Sequence, residues 1–265
     1  MRSNFELKFG ASICLLIAAM SLLSFFWVPY DYNAMNHENR LRAPTAAHIF
    51  GTDNFGRDIF SRVALGARNS LVTAICVVAL AAAAGTIIGL LAGYLGGITD
   101  AVVTRIIDTI SSFPGVILAL LFVAVMENSQ FTLFITLFIL FTPSFTRVTR
   151  NGAARYRNAD FIQAEKAMGA GFFRITVIHI LPNLYPSLLS ACVLGLSNAI
   201  LMEASMSYLG IGIQPPLPSW GRMLFESQSY FFSAPWCAIF PGIFVTLTVF
   251  AFHFTGEGLR QRFGE

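Results

Sequence analysis

Charge is scarce in this chain. Of its 265 residues only 12% are Asp, Glu, Lys or Arg, against 55% hydrophobic, where a soluble domain carries about 25% charged residues. So thin a polar coat excludes an ordinary water-soluble enzyme. With 26 phenylalanines, only 11 prolines and no solvated low-complexity stretch, disorder, collagen and coiled coil fall as well. The cysteines Cys14, Cys76, Cys192 and Cys237 each lie in an apolar run, with no CxxC or other metal-ligand spacing. They read as buried thiols. The histidines His37, His48, His179 and His253 form no HExxH and no pair at helical spacing, and no GxSxG occurs, so protease and hydrolase chemistry lack their residues. Neither GxxxxGKS nor GxxxxGKT is present, so no phosphate-cradling loop is available. No metal and no cofactor are expected in this chain. The net charge of +3 is spread over loops and argues against a nucleic-acid partner.

What the chain has is a succession of long apolar runs, in keeping with its mean hydropathy of +0.67. The first, Ala11 to Val28, is followed by no small-x-small cleavage site and reads as a retained helix. The second, Leu71 to Leu95, is free of charge and would be about 37 Å long at 1.5 Å per residue, enough to cross a hydrocarbon core of about 30 Å. Within it Gly85, Gly89 and Gly93 share one helical face on which another helix can approach closely. A third run, Phe113 to Met126, is too short alone and is expected to recruit Val102 to Ser112, where Arg105 and Asp108 can pair. Phe131 to Val148, with a kink at Pro143, Leu184 to Met202, and Trp236 to Phe254 complete a set of six spans. The fold class predicted is an all-α integral membrane protein of six transmembrane helices, its partner medium the lipid bilayer.

Two parts are expected: residues 1–70, an N-terminal helix with an outer loop, and residues 71–265, a five-helix core with a polar loop at about 151–182. Lys and Arg resist translocation, so their distribution orients the chain. With both termini cytoplasmic, the inner flanks hold Arg2, Lys8, Arg105, Arg147, Arg150, Arg155, Arg157, Lys166, Arg174, Arg260 and Arg262, against Arg40, Arg42, Arg57, Arg62, Arg68 and Arg222 outside.

The polar loop reads as a helix from Asp160 to Met168, a positive-φ turn at Gly169 to Gly171, and a short amphipathic helix from Phe172 into Pro182. Phe161, Ile162, Phe172, Phe173, Ile175 and Ile178 in a polar stretch call for a surface to bury them. In the outer loop Asp53, Arg57, Asp58, Ser61 and Arg62 recur at three- and four-residue spacings, predicting pairing along a short helix. They serve either that helix or contact with a partner. Glu203, near the membrane, must face protein or water, as a structural tie or a ligand for solute. Asp108, Ser197 and Asn198 are the other polar positions in the spans that serve structure or pathway. Trp220, after Pro215, Pro216 and Pro218, is expected to anchor the chain at the membrane interface.

The loop resembles the coupling loop of binding-protein-dependent ABC importer permeases, EAA, three residues, Gly, nine residues, then IxLP. Here Gln163, Ala164 and Glu165 take the EAA positions, Ala167 follows within the helix, Gly169 is the glycine, and His179, Leu181 and Pro182 take the IxLP positions. Gln163, Glu165 and His179 depart from the general pattern. HIFGTDNFGRDIFSRVALGARNSL, from His48, and EASMSYLGIGIQPPLPSWGRML, from Glu203, resemble two signatures of the dipeptide, oligopeptide and nickel permeases, a branch that commonly writes HILPN after the coupling glycine. The resemblance implies a type I permease fold with a cytoplasmic helix-turn-helix, an inner-membrane location, and transport of peptides or a related solute such as nickel or a nickel chelate. It further implies a second, paralogous permease subunit, two ATPase subunits carrying ATP and Mg²⁺, and an extracytoplasmic solute-binding protein, with Asp53, Arg57, Asp58, Arg62 and Trp220 at the outer face. An exporter permease or an ATP-independent channel of similar topology is the alternative.

Overall fold

Glycine decides where the two longest-contacting helices meet. In α2 (Ile59–Leu95) the glycines Gly85, Gly89 and Gly93 are buried against α5 (Gln130–Tyr156), close enough that backbone meets backbone. A Cβ built on Gly85 would lie 2.7 Å from Cβ of Phe145, and one on Gly89 the same distance from the carbonyl oxygen of Thr146. The face predicted to receive another helix therefore receives one of this same chain. Earlier along the same face α2 buries Val63, Ala67, Leu71, Ala74, Val78 and Ala81, recurring every three or four residues, in one core with Phe145 of α5 and with Ala199, Ile200 and Ala204 of α7 (Leu181–Tyr208).

The computed structural model describes residues 2–263, with side-chain surroundings from residue 6 onward; the side chain of Arg2, counted above in the charge balance, lies outside them. Around the α2–α5–α7 centre, α1 (Arg2–Leu23) lies along α9 (Trp236–Phe263), and α9 lies along α7. Small residues again set the approach: a Cβ on Gly258 would meet Leu7, and one on Gly256 would meet Leu194. The helices α3 (Gly97–Ser112), α4 (Gly115–Met126), α6 (Asp160–Ala167) and α8 (Trp220–Ser227) complete the set among the described residues.

Among the described residues five helices are long and apolar enough to cross a membrane, and α3 with α4 makes a sixth only as a bent pair. Here the expectation of one continuous third span is corrected. The pair bends by 89°, because Pro114 has no N–H to donate and pushes Phe113 into extended backbone, φ −80° and ψ 129°. Asp108 does not pair with Arg105 but accepts from Arg147 of α5 at 3.0 Å, whose guanidinium also donates to Ser111. The first helix ends at Leu23 rather than Val28, passing into a tighter turn in which Phe25 and Phe26 donate to the carbonyls three residues back. The second begins at Ile59, so residues 70 and 71 are successive positions of one helix.

Candidate coupling surface and the polar cluster at the opposite end

At one end of the bundle α6 and the chain after it form a knob. The helix α6 ends in a Schellman turn: the N–H of Gly169 donates to the carbonyl of Lys166, and that of Ala170 to the carbonyl of Glu165, each at 3.0 Å. Gly169 adopts φ +81°, the left-handed conformation expected of it. After Gly171 the backbone winds as a π-helix, Arg174–Ile180, and passes without interruption into α7. The expected stop at Pro182 is thus replaced by a widened turn. The N–H of Leu181 donates to the carbonyl of Thr176 five residues back, and the absent donor of Pro182 falls where the regular ladder is already broken.

The knob has its own core. Ile162, Ile175 and Ile180 pack with Leu90, Ala153 and Leu184, and Phe172 lies edge-on to Tyr94. Left outward are Phe161, Phe173 and Ile178, together with Met168 and Val177. Phe173 is 79% exposed. Gln163, Ala164, Ala167, Gly169 and Pro182 share this exposed surface, whereas Leu181 is half-buried. The three departures from the general coupling pattern all lie in the knob. Gln163 donates to the carbonyl of Arg157 at 3.1 Å, and Glu165 faces His179 at 3.4 Å and Arg174 at 3.6 Å. Glu165 and His179 replace two apolar residues as a pair across the turn.

At the far end the signature residues are brought together, but not on one helix as their spacing predicted. Asp53 and Arg57 precede α2, and Asp58 is its N-cap, accepting from the N–H of Ser61 at 2.8 Å and from His48 at 2.9 Å. Asp53 closes a turn by accepting from the N–H groups of Phe55 and Arg57, and pairs with the Arg57 guanidinium at 2.7 Å. A spacing of four residues arises here from a side-chain-capped turn, not a helix. The residue that sequence reasoning missed is Glu226. Its carboxylate accepts from Arg62 at 2.9 Å, Arg57 at 3.1 Å and Arg222 at 3.2 Å. The four-residue spacing of Arg222 and Glu226 was the one available signal. Trp220 is corrected too. It is fully buried over Gly66, its indole donating to the carbonyl of Val63 at 3.0 Å, and so anchors the helix packing rather than the membrane interface.

Glu203 is fully buried between α2 and α7, accepting from Ser70 at 2.8 Å and Ser207 at 2.7 Å. That is the environment of a structural tie. Ser197 likewise ties α7 to α9 through the carbonyl of Val249 at 2.9 Å. Asn198 and Asp108 point outward from their helices.

The chain was compared with known proteins. The family model of binding-protein-dependent transport system inner membrane components matches residues 85–264. The chain is 42% identical to a dipeptide transport system permease protein, DppC, of Alkalihalophilus pseudofirmus, over 87% of this chain and 76% of the relative. It is 37% identical to a glutathione transport system permease protein, GsiD, of Pectobacterium atrosepticum, over 98% and 87% respectively. A chain of the MetNI methionine ABC transporter in an inward-facing conformation superposes with a TM-score of 0.56 at 18% identity, over 74% of this chain and 95% of that one. This last likeness is one of fold.

Proposed function

Since the chain belongs to the binding-protein-dependent transport system inner membrane components, we propose that it is a permease subunit of an ABC importer of the dipeptide and oligopeptide branch, built on the type I fold. It forms half of a pathway for peptides or a related small solute. The relatives' names favour peptides over nickel as the cargo, and the family sets aside the exporter and the free-standing channel. A paralogous permease supplies the other half, two ATPase subunits hold ATP and Mg²⁺, and a solute-binding protein delivers cargo to the far end. Both termini and the knob face the cytoplasm. Asn198, turned outward on α7, faces the pathway or the second permease, because lipid would leave it unsolvated, whereas Asp108 is held by Arg147.

The observation that carries this reading is the knob. It is rigid inside, through Ile162, Ile175 and Ile180, and apolar outside, through Phe161, Phe173 and Ile178. An apolar patch on a polar projection is a plug for a groove, each buried Phe contributing roughly 1.5 to 3 kcal/mol. Gly171 offers the probe: a Cβ there meets nothing within 4 Å. With the exposed Cys76 replaced by Ser, Gly171→Cys is expected to crosslink to the ATPase subunit, with an efficiency that changes with nucleotide. Crosslinking to the binding protein, or labelling of Gly171→Cys by an impermeant reagent outside intact cells, would overturn the orientation and the assignment.

Gly169 tests transmission through the same element. A β-branched residue at φ +81° pays roughly 1 to 2 kcal/mol in left-handed backbone, while no clash intervenes. Gly169→Val is expected to lower solute uptake about tenfold with the complex still assembled, and Gly169→Asn, which tolerates that φ, to retain most of it. Equal uptake in the wild type and Gly169→Val would remove the turn from the coupling path.

A further inference from the structure

The outward apolar surface of the knob is divided between two halves. Phe161 lies on α6 and Met168 at its end, whereas Phe173, Val177 and Ile178 stand on the chain after Gly171. The turn between the halves leans on little: a Cβ at Gly169 or at Gly171 would meet nothing within 4 Å. Ile162, the one buried side chain of α6, packs with Ile175 and Ile180 of the π-helix. Apolar contact is non-directional, so it holds α6 down without fixing where the helix points. A directional contact crosses the same seam. Oε2 of Glu165 lies 3.4 Å from Nε2 of His179, in side chains 16% and 24% exposed. Both atoms are sealed from water, and neither finds a hydrogen-bond partner elsewhere among the described residues. Arg174 stands 3.6 Å from the same oxygen but is 62% exposed, so water competes for it.

Each member of this contact is anchored through its own backbone. The carbonyl of Glu165 accepts from the N–H of Ala170 in the Schellman turn, and the carbonyl of His179 accepts from the side chain of Asn183 at 2.6 Å. We propose that Glu165 and His179 are a positioning pair for transport: their contact fixes the direction of α6 against the π-helix, and with it the spacing of the two apolar halves that one ATPase groove must receive together. The proposal rests on the knob being the coupling element. Two apolar residues in these places, as in the general coupling pattern, would join the halves by buried area alone. A carboxylate facing an imidazole joins them at a defined distance and direction. Neither member serves without the other, because removing one leaves the second shielded from water and without its counter-group.

Spin labels at the exposed positions Ala164 and Val177, in the full complex with Ala at the four native cysteines, read the spacing of the halves by pulsed dipolar spectroscopy. With the pair intact one narrow distance is expected. Glu165→Ala and His179→Ile should each broaden it, and each should lower uptake of a radiolabelled dipeptide per ATP hydrolysed at least fivefold in proteoliposomes. The double variant Glu165→Ala with His179→Ile restores the apolar pair of the general pattern and should recover both readouts, a non-additivity that independent sites do not show. Glu165→Gln, which keeps an oxygen of the same reach facing His179, should be intermediate. If a single variant fails to assemble, assembly of the double supports the pair and failure of the double counts against it. An unchanged distance and uptake in both single variants, or a double variant that loses as much as the two singles combined, would overturn the proposal. The distance is read within this chain, whereas the Gly171→Cys crosslink reads docking on the ATPase, so failure of the pair and failure of the coupling reading are told apart.

Discussion

Glu226→Ala is expected to destabilise the chain by about 3 to 5 kcal/mol, the range for removing one partner of a buried ion pair, and to lower its melting temperature in detergent accordingly. Glu226 is the common acceptor of Arg57, Arg62 and Arg222. The side chains of Arg57 and Arg62 are 6% and 2% exposed, so with the carboxylate gone these two guanidiniums keep little access to water. Even in the intact cluster one terminal nitrogen of Arg62 has no hydrogen-bond partner; three guanidiniums against two carboxylates leave no reserve. The sign of a second substitution checks the cause. Adding Arg62→Met to Glu226→Ala removes a stranded charge and should recover part of the loss, whereas independent sites would simply add. A melting temperature for Glu226→Ala equal to the wild type's would mean that the cluster is solvated and contributes little.

That cluster also marks where reading the sequence ran out. Asp53, Arg57, Asp58, Ser61 and Arg62 were visible as interacting charges, but spacing alone cannot distinguish a helix face from a capped turn feeding a helix. The fifth charge that organises them, Glu226, comes from the far end of the chain. Trp220 misled for a related reason: an indole after prolines fits an interfacial anchor, and only the close approach of α2 at Gly66, with the Val63 carbonyl within reach, makes a dry site for it. The straightness of the third span failed on the converse ground. The shortness of the apolar run asked for more helix, and extending it straight through Pro114 ignored the restriction a proline places on the residue before it.

The coupling knob was more legible, because its signals are local. A glycine after a short helix demands positive φ, and Gly169 has it. Outward phenylalanines in a polar loop demand a partner, and Phe161 and Phe173 remain exposed within this chain. Two things were hidden. One is the inner core of the knob, which borrows Leu90 from α2 and Ala153 from α5. The other is the facing of Glu165 and His179, two departures from the general pattern that make sense only together.

The glycine face was legible as well, and Gly89→Leu is expected to have a large effect on assembly. Three glycines four apart in a charge-free run say that something comes close; the structure adds that it is backbone. The first carbon of any side chain at Gly89 would lie 2.7 Å from the carbonyl oxygen of Thr146 and 2.9 Å from the amide nitrogen of Arg150. Neither can rotate away, so relief requires α2 and α5 to separate along their length. Separation uncovers Ala81 and Phe145 in the central core and loosens Leu90 beneath the knob. The cost should therefore exceed the roughly 1 to 3 kcal/mol of ordinary core overpacking, and even Gly89→Ala should lie at the upper end of that range. Gly171→Ala, where a Cβ meets open space, is the matched control and should be recovered like the wild type. Size-exclusion recovery of the intact complex in mild detergent measures the difference. Gly89→Leu recovered in full and melting with the wild type would show that the two backbones do not meet at this level.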